Sequence, residues 1–340
     1  MRFKSCNWIT HGITFETTHM EMCCMRSHAG GGNLFVKNPY NGELLDWDKF
    51  FELKKKFIEE NKQGKVNPKC KGCFYLHEDE WSEDENYINF IHFNHWTHCN
   101  CGCIYCFTDY DKENCNKNRY YNVLPVIKDM FEKNLFKTGG YINFAGGEPT
   151  ILEEFDELLD FFVEKQVPEV IIHSSGIKYS DAIERGIKAG VVSVVVSVDS
   201  GSREVYRKIK NIDSYDKVIE NLRKYASFQN PEKPLVTSKY IMMPKINDNI
   251  DEATKWLETC EKIGLKSVAV EFEYEWFNLQ RKHKAFPKHA REVFDFIRKR
   301  ADELGMNLIF YNSALHFVNN EKDFPKFDFY PFRYPSLKNC

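Results

Sequence analysis

Residues 140–199 read GYINFAGGEPTILEEFDELLDFFVEKQVPEVIIHSSGIKYSDAIERGIKAGVVSVVVSVD, and this stretch decides the fold. Residues 140–145, 168–175 and 192–199 are short apolar runs rich in Val, Ile and Phe, the pattern of buried strands. Between them, 153–165 and 180–190 repeat apolar residues every three to four positions, the pattern of helices with one buried face. Strands alternating with helices at this spacing predict right-handed βαβ units and a parallel sheet.

The same texture extends both ways. Toward the N-terminus, YINFIHFN (87–94) reads as a strand and VLPVIKDMFEKNLF (123–136) as a helix. Toward the C-terminus come one long or broken helix (203–228), the strand LVTSKYIMM (235–243) and a helix (250–264). The strand KSVAVEFEY (266–274), a helix (289–305) and the short strand MNLIFYNS (306–313) follow. Six to seven such units predict an α/β fold, a full or partial (β/α) barrel over residues 86–316. Residues 1–80 differ in texture: a cysteine-bearing stretch with a glycine loop (Gly30, Gly31, Gly32) and one clear helix, WDKFFELKKKFIEEN (47–61). They are expected to form a small cysteine-rich domain. Residues 317–340 are aromatic and broken by proline, so they cannot continue a helix and are expected to strap onto the barrel.

Bulk properties exclude some classes. The chain has 340 residues, 42% hydrophobic, with a formal net charge of -3, which gives no basic surface for nucleic acid or anionic membrane. No apolar h-region opens it, and no run approaches the ~18 apolar residues of a membrane span, so a cytoplasmic location is expected. Twelve cysteines are many for a reducing compartment, and their clustering points to metal ligation rather than disulfides.

After the first strand the chain reads HWTHCNCGCIYCFTD, with Cys99, Cys103 and Cys106 spaced C-x3-C-x2-C. Three thiolates on one loop can ligate three irons of a cubane and leave the fourth open to a small molecule. The same residues also fit a zinc knuckle or a reactive thiol cluster, and Cys101 offers other spacings. One βα unit later, the strand GYINFA ends in Gly146-Gly147-Glu148-Pro149. Glycines let a backbone approach a ligand closely, and a carboxylate can accept from an ammonium. An ordinary strand-to-helix turn has the same residues.

Together, C-x3-C-x2-C after the first strand and GGEP after the next resemble the radical S-adenosylmethionine (radical SAM) superfamily, from Tyr87 to Ser313. The resemblance implies a [4Fe–4S] cluster on Cys99, Cys103 and Cys106, whose fourth iron is chelated by the amino and carboxylate groups of S-adenosylmethionine. It implies that Gly146, Gly147, Glu148 and Pro149 hold the methionyl ammonium. Ser174-Ser175-Gly176 stands where the family often has a Thr-Asn-Gly turn, which places Ser175 near the nucleotide. Ser197 and Asp199, in SVDSG, correspond to residues near the ribose or methionine carboxylate, although Ser200 replaces the usual glycine. Lys239 corresponds to a charged strand residue that contacts the nucleotide. Strand-end capping or surface exposure is the other reading of each. Val268 and Val270 either flank the adenine or form plain strand core. Alternation in SVAVEFEYEW puts Glu271, Glu273 and Glu275 on one face. They point either into the barrel, opposite a cation such as Lys239 or a substrate amine, or to solvent from an edge strand.

The N-terminal segment resembles a SPASM or Twitch auxiliary-cluster domain, here placed before the radical domain. That implies a second [4Fe–4S] cluster on Cys6, Cys23 or Cys24, Cys70 and Cys73; a zinc site with four thiolates is the rival. Cys115, Cys260 and Cys340 stand alone and read as free thiols. The expected activity is reductive cleavage of S-adenosylmethionine and hydrogen abstraction from a peptide, sugar or other small molecule. The electron would come from a flavodoxin or ferredoxin. No motif names the group that touches the substrate. The competing class is a non-catalytic metal protein, either zinc-stabilised or a two-cluster electron carrier.

Overall fold

A computed structural model describes residues 2–17, 19–22, 44–67, 70, 76–81, 86–106, 121–230, 232–283, 286–319 and 326–327. The chain divides into two compact units: Met1–His98 with Asp111–Ile172, and Cys99–Tyr110 with His173–Cys340.

The first unit contains β1 (Arg2–Ser5), α1 (Asn7–His11), β2 (Gly12–Glu16), β3 (Met20–Glu21), α2 (Trp47–Lys62), β4 (His77–Glu80), β5 (Phe90–Asn94), α3 (Leu124–Glu132), β6 (Ile142–Phe144), α4 (Phe155–Glu164) and most of β7 (Val170–Ser174). Strands β2, β5, β6 and β7 pair in parallel, β3 runs antiparallel on β2, and β1 pairs separately with β4. One sheet face is a run of apolar side chains with no exposed surface: Ile13, Phe15, Ile91, Phe93, Ile142, Phe144, Val170 and Ile172. It meets the apolar side of α4, where Phe162 lies 6.2 Å from Phe93 and Phe155 stands edge-on to Phe144 at 5.7 Å. Burying each such ring contributes on the order of 1.5–3 kcal/mol.

Among the described residues of 1–80, β2 and β3 belong to this sheet. β2 pairs along its whole length with β5, from Gly12↔Phe90 to Glu16↔Asn94. α2 is tied to the unit twice. Its buried Lys54 donates to the Trp8 and Ile9 carbonyls at the end of α1 (3.1 and 3.0 Å), and the Trp47 indole donates to Asp129 of α3 at 2.7 Å. A lysine in a run that reads as a solvated face thus satisfies helix-end carbonyls.

The second unit contains α5 (Asp181–Lys188), β8 (Val192–Ser197), α6 (Arg203–Lys210), α7 (Tyr215–Ala226), β9 (Val236–Met242), α8 (Ile250–Lys262), β10 (Ser267–Phe272), α9 (Tyr274–His283), β11 (Phe286–Pro287), α10 (Lys288–Glu303), β12 (Asn307–Phe310), α11 (Asn312–Asn319) and β13 (Lys326–Phe327). Strands β8, β9, β10 and β12 pair in parallel in that order. The helical stretch 203–228 is broken, because Asn211 closes α6 in the left-handed region at φ 54°. Asn tolerates that conformation better than most side chains. Of residues 317–340, those described are 317–319, which end α11 and so do continue a helix, and β13, which pairs with β11.

Strand β10 lies between β9 and β12, so it is not an edge. Val268, Val270 and Phe272 face the helices and are buried, which makes Val268 and Val270 core rather than adenine contacts. Glu271 projects from the opposite face. The strand ends at Phe272, so Glu273 and Glu275 do not continue its alternation. Buried Glu273 accepts from the Glu275 and Trp276 amides at the start of α9, while Glu275 is exposed.

Candidate active site

The cysteine loop belongs to the second unit and is fastened to the end of α6. The Gly102 amide donates to the Lys210 carbonyl and the Ile104 amide to the Ile209 carbonyl, both at 3.0 Å. These are carbonyls of the last helical turn, which have no partner within the helix. A Cβ on Gly102 would meet Asn211 at 3.3 Å, so glycine lets the loop lie close on this turn. Ile104 and Tyr105 pack on Ile209, Ile241 and Met243.

Beneath the loop lies a buried polar knot. Asp199 and Lys210 have almost no exposed surface and form an ion pair. The Tyr105 hydroxyl donates to the same Asp199 Oδ2 at 2.6 Å, and Lys210 Nζ donates to the Tyr105 oxygen at 2.8 Å. Asp199 Oδ1 accepts from the Ile241 amide at 2.8 Å, and Asn247 Nδ2 donates to the Asp199 carbonyl at 2.7 Å. Asp199 itself sits at φ 60°, a conformation this ring of bonds holds in place. Both carboxylate oxygens are therefore engaged within the protein, and through Tyr105 Asp199 anchors the cysteine loop. Burial opposes the Lys210 charge, but Asp199 and then Cys103 outweigh it and push its pKa up. Burial, then Asp199, raises the Tyr105 hydroxyl.

The Cys101 thiol lies within hydrogen-bonding reach of both Cys103 and Cys99. Those contacts and burial raise Cys101, whereas the Cys101 contact, with help from Lys210, lowers Cys103. Cys99 is exposed, and Cys101, Cys103 and Cys106 are half-buried. Among the described residues no three His, Cys, Asp or Glu side chains are grouped to hold a single metal ion. The donor chemistry nonetheless suits iron–sulfur ligation, with soft sulfur ligands on one pinned loop and a buried cation that favours thiolate.

Ser175 donates to Asn100 Oδ1 at 3.0 Å, which ties it to the cysteine loop. Ser197 is half-buried and pairs in register with Lys239 on the open face of the sheet. Lys239 donates to Glu271 at 3.2 Å and lies 5.6 Å from the Tyr311 ring. The expected pairing of Glu271 with Lys239 is thus present. Tyr311 in turn meets His173 edge-on at 5.7 Å.

In the first unit, the GGEP turn pairs with the segment that leads into the cysteines. Gly147 donates to the Trp96 carbonyl (3.1 Å) and Glu148 to the His98 carbonyl (2.9 Å). A Cβ on Gly147 would fall 2.1 Å from the His98 oxygen, and Gly146 sits at φ +96°, so both glycines are required by the backbone alone. Glu148 is buried and caps the turn Pro149–Ile151, accepting from the Thr150 amide (3.3 Å) and hydroxyl (2.6 Å). Among the N-terminal cysteines, Cys6 caps α1 by accepting from the Ile9 amide at 3.5 Å, and Cys70 is buried. Cys23, Cys24 and Cys73 lie outside the described residues. Lys210 and Tyr105 carry no local signal for their roles. Lys210 is one of three basic residues in the last turn of α6.

A family model described as the Radical SAM superfamily matches residues 93–257. Over 170 residues the chain is 28% identical to a GTP 3',8-cyclase of Clostridium botulinum, covering 48% of this chain and 51% of that protein. Over 130 residues it is 25% identical to the mycofactocin maturase MftC of Mycobacterium tuberculosis, covering 38% of this chain and 32% of that one. The chain thus spans about half or less of these curated relatives. Its fold is similar to that of Streptococcus suis SuiB, with a TM-score of 0.52 at 14% identity over 85% of this chain and 59% of SuiB. The match over 93–257, just under half of the chain, begins in β5 and takes in both the cysteine loop and the GGEP turn, so it is this stretch that is similar to the radical SAM superfamily.

Proposed function

We propose that the chain cleaves S-adenosylmethionine reductively, with Cys99, Cys103 and Cys106 as the ligands of a [4Fe–4S] cluster. The carrying observation is the pinned cysteine loop: two backbone bonds to the end of α6, and Tyr105 locked onto Asp199 and Lys210. When bound, the cluster and nucleotide supply one-electron chemistry and a 5′-deoxyadenosyl radical that takes a hydrogen atom from substrate. The chain's own residues orient and shield. Lys210 and Asp199 hold the loop without exposing charge to solvent, and the backbone of Gly147 and Glu148 fixes the approach to the loop at Trp96 and His98. Lys239 and Ser197 lie on the open face of the sheet, where they can bind the polar parts of the nucleotide. Glu148 can turn its carboxylate from Thr150 to an ammonium, and Ser175 steadies Asn100 beside Cys99.

The substrate is a peptide, sugar or other small molecule, and a flavodoxin or ferredoxin delivers the electron. A second cluster on Cys6, Cys70, Cys73 and either Cys23 or Cys24, in a SPASM- or Twitch-like role, completes the reading. Among the described residues no helix is long and apolar enough to cross a membrane. The test is anaerobic reconstitution followed by measurement of 5′-deoxyadenosine. Replacing Cys99, Cys103 and Cys106 together with Ala abolishes its formation; undiminished cleavage by that variant would refute the assignment.

A further inference from the structure

The face of the first unit's sheet that turns away from α4 carries a polar row. Glu21 stands opposite Thr14, Thr14 opposite His92, and His92 opposite Asn143. Directly paired residues project to the same face, so four polar side chains line up across four adjacent strands, roughly 5 Å from one to the next. One step along the strands, Asn94 donates to Glu16 at 2.8 Å. Among the described residues, Thr14 Oγ1, Glu21 Oε1 and Asn143 Oδ1 have no hydrogen-bond partner in the protein. Thr14 is 0% and Glu21 1% exposed, so these are buried groups. Each such atom costs about 1–3 kcal/mol, and a carboxylate more. The other Glu21 oxygen lies 3.7 Å from His19 Nε2.

The chemistry of the orphaned atoms defines what would satisfy them. Glu21 Oε1 and Asn143 Oδ1 only accept, and the Thr14 hydroxyl can accept as well. Asn143 Nδ2 lies 3.1 Å from His92 Nδ1, which leaves the Asn143 oxygen for another donor. Burial holds His92 down to about 4, so the imidazole brings no positive charge to the row at neutral pH. His92 and Asn143 are half-buried, whereas Thr14 and Glu21 have almost no exposed surface.

We propose that this row binds a primary alkylammonium group on the substrate, with its N–H bonds donated to Glu21 and Thr14 and its alkyl stem passing His92. The Asn143 oxygen receives a further donor. The site deepens the radical-enzyme reading, and rests on it only in calling the ligand a substrate.

The test is calorimetric titration of the anaerobically reconstituted full chain with n-pentylammonium, n-pentyltrimethylammonium and 1-pentanol. No cofactor cleavage is involved, so the site can fail while cleavage stands, or the reverse. The primary ammonium is expected to bind at least about tenfold more tightly than the trimethylated cation, which has no N–H, and than the uncharged alcohol. Glu21→Gln and Thr14→Val each weaken it about tenfold, whereas Glu52→Gln, the same charge change at an exposed position, does not. Because Glu21→Gln keeps the side chain's shape and removes a buried charge, the ligand-free variant melts no lower than the parent, and Thr14→Val provides an independent variant of the same site. Equal affinity for all three probes, no saturable binding of the primary ammonium, or unchanged affinity in both variants would overturn the proposal.

Discussion

Lys210 shows how one side chain comes to govern a loop more than a hundred residues away in sequence. Its ammonium is buried against Asp199 and the Tyr105 hydroxyl, so removing it leaves a carboxylate buried without its counter-charge. Lys210→Met should cost about 3–5 kcal/mol in denaturant unfolding, far more than loss of a surface pair. His92 gives a residue-level pH dependence of opposite origin. Burial lowers its pKa from 6.5 to about 4, so above pH 6.5 neither the folded nor the unfolded state is protonated there. As pH falls from 6.5 toward 4, the unfolded chain binds a proton that the folded chain refuses, and stability drops by at most about 3–4 kcal/mol. Below that window the loss stops. His92→Gln should flatten this part of the stability profile, as followed by melting temperature against pH.

Among elements, α6 does most to position the cysteines. Its last-turn carbonyls accept from the loop, and the helix must stop at Asn211 for those carbonyls to be free. Asn211→Gly should change stability by no more than a few tenths of a kcal/mol, since glycine adopts φ 54° freely. A β-branched residue cannot do so cheaply, and Asn211→Val should cost about 1–2 kcal/mol by thermal melting. The break was foreseeable only as an alternative, because the apolar period carries through 203–228. The GGEP turn is a contrasting element. Its glycines are legible in sequence as close-approach residues, but what approaches Gly147 is the His98 carbonyl of the same chain.

For the whole chain, the proposed second cluster makes a prediction of its own. Cys6 and Cys70 are buried, and Cys6 already caps α1, so thiol placement there serves packing. Elemental analysis of the variant lacking Cys99, Cys103 and Cys106 separates the cases. About four irons per chain, the content of one cubane, are expected to remain. Zinc without iron, or neither metal, would remove the second cluster from the reading.

The sequence by itself determined the alternation of strands and helices, since apolar periods of two and 3.6 are local properties. It also determined the cysteine and GGEP motifs, and the radical SAM resemblance they carry. It read residues 1–80 as a separate piece because their cysteines and glycine loop change the local texture. Only the tertiary structure decided that β2 pairs with β5, a contact across more than seventy residues that no period within either strand encodes. The same holds for Asp199, Lys210 and Tyr105. Each has an ordinary local reading, as a strand-end acid, a helix-end base and an aromatic neighbour of Cys106. Their joint role exists because burial makes an unpaired charge costly, and the fold brings together the partners that satisfy one another.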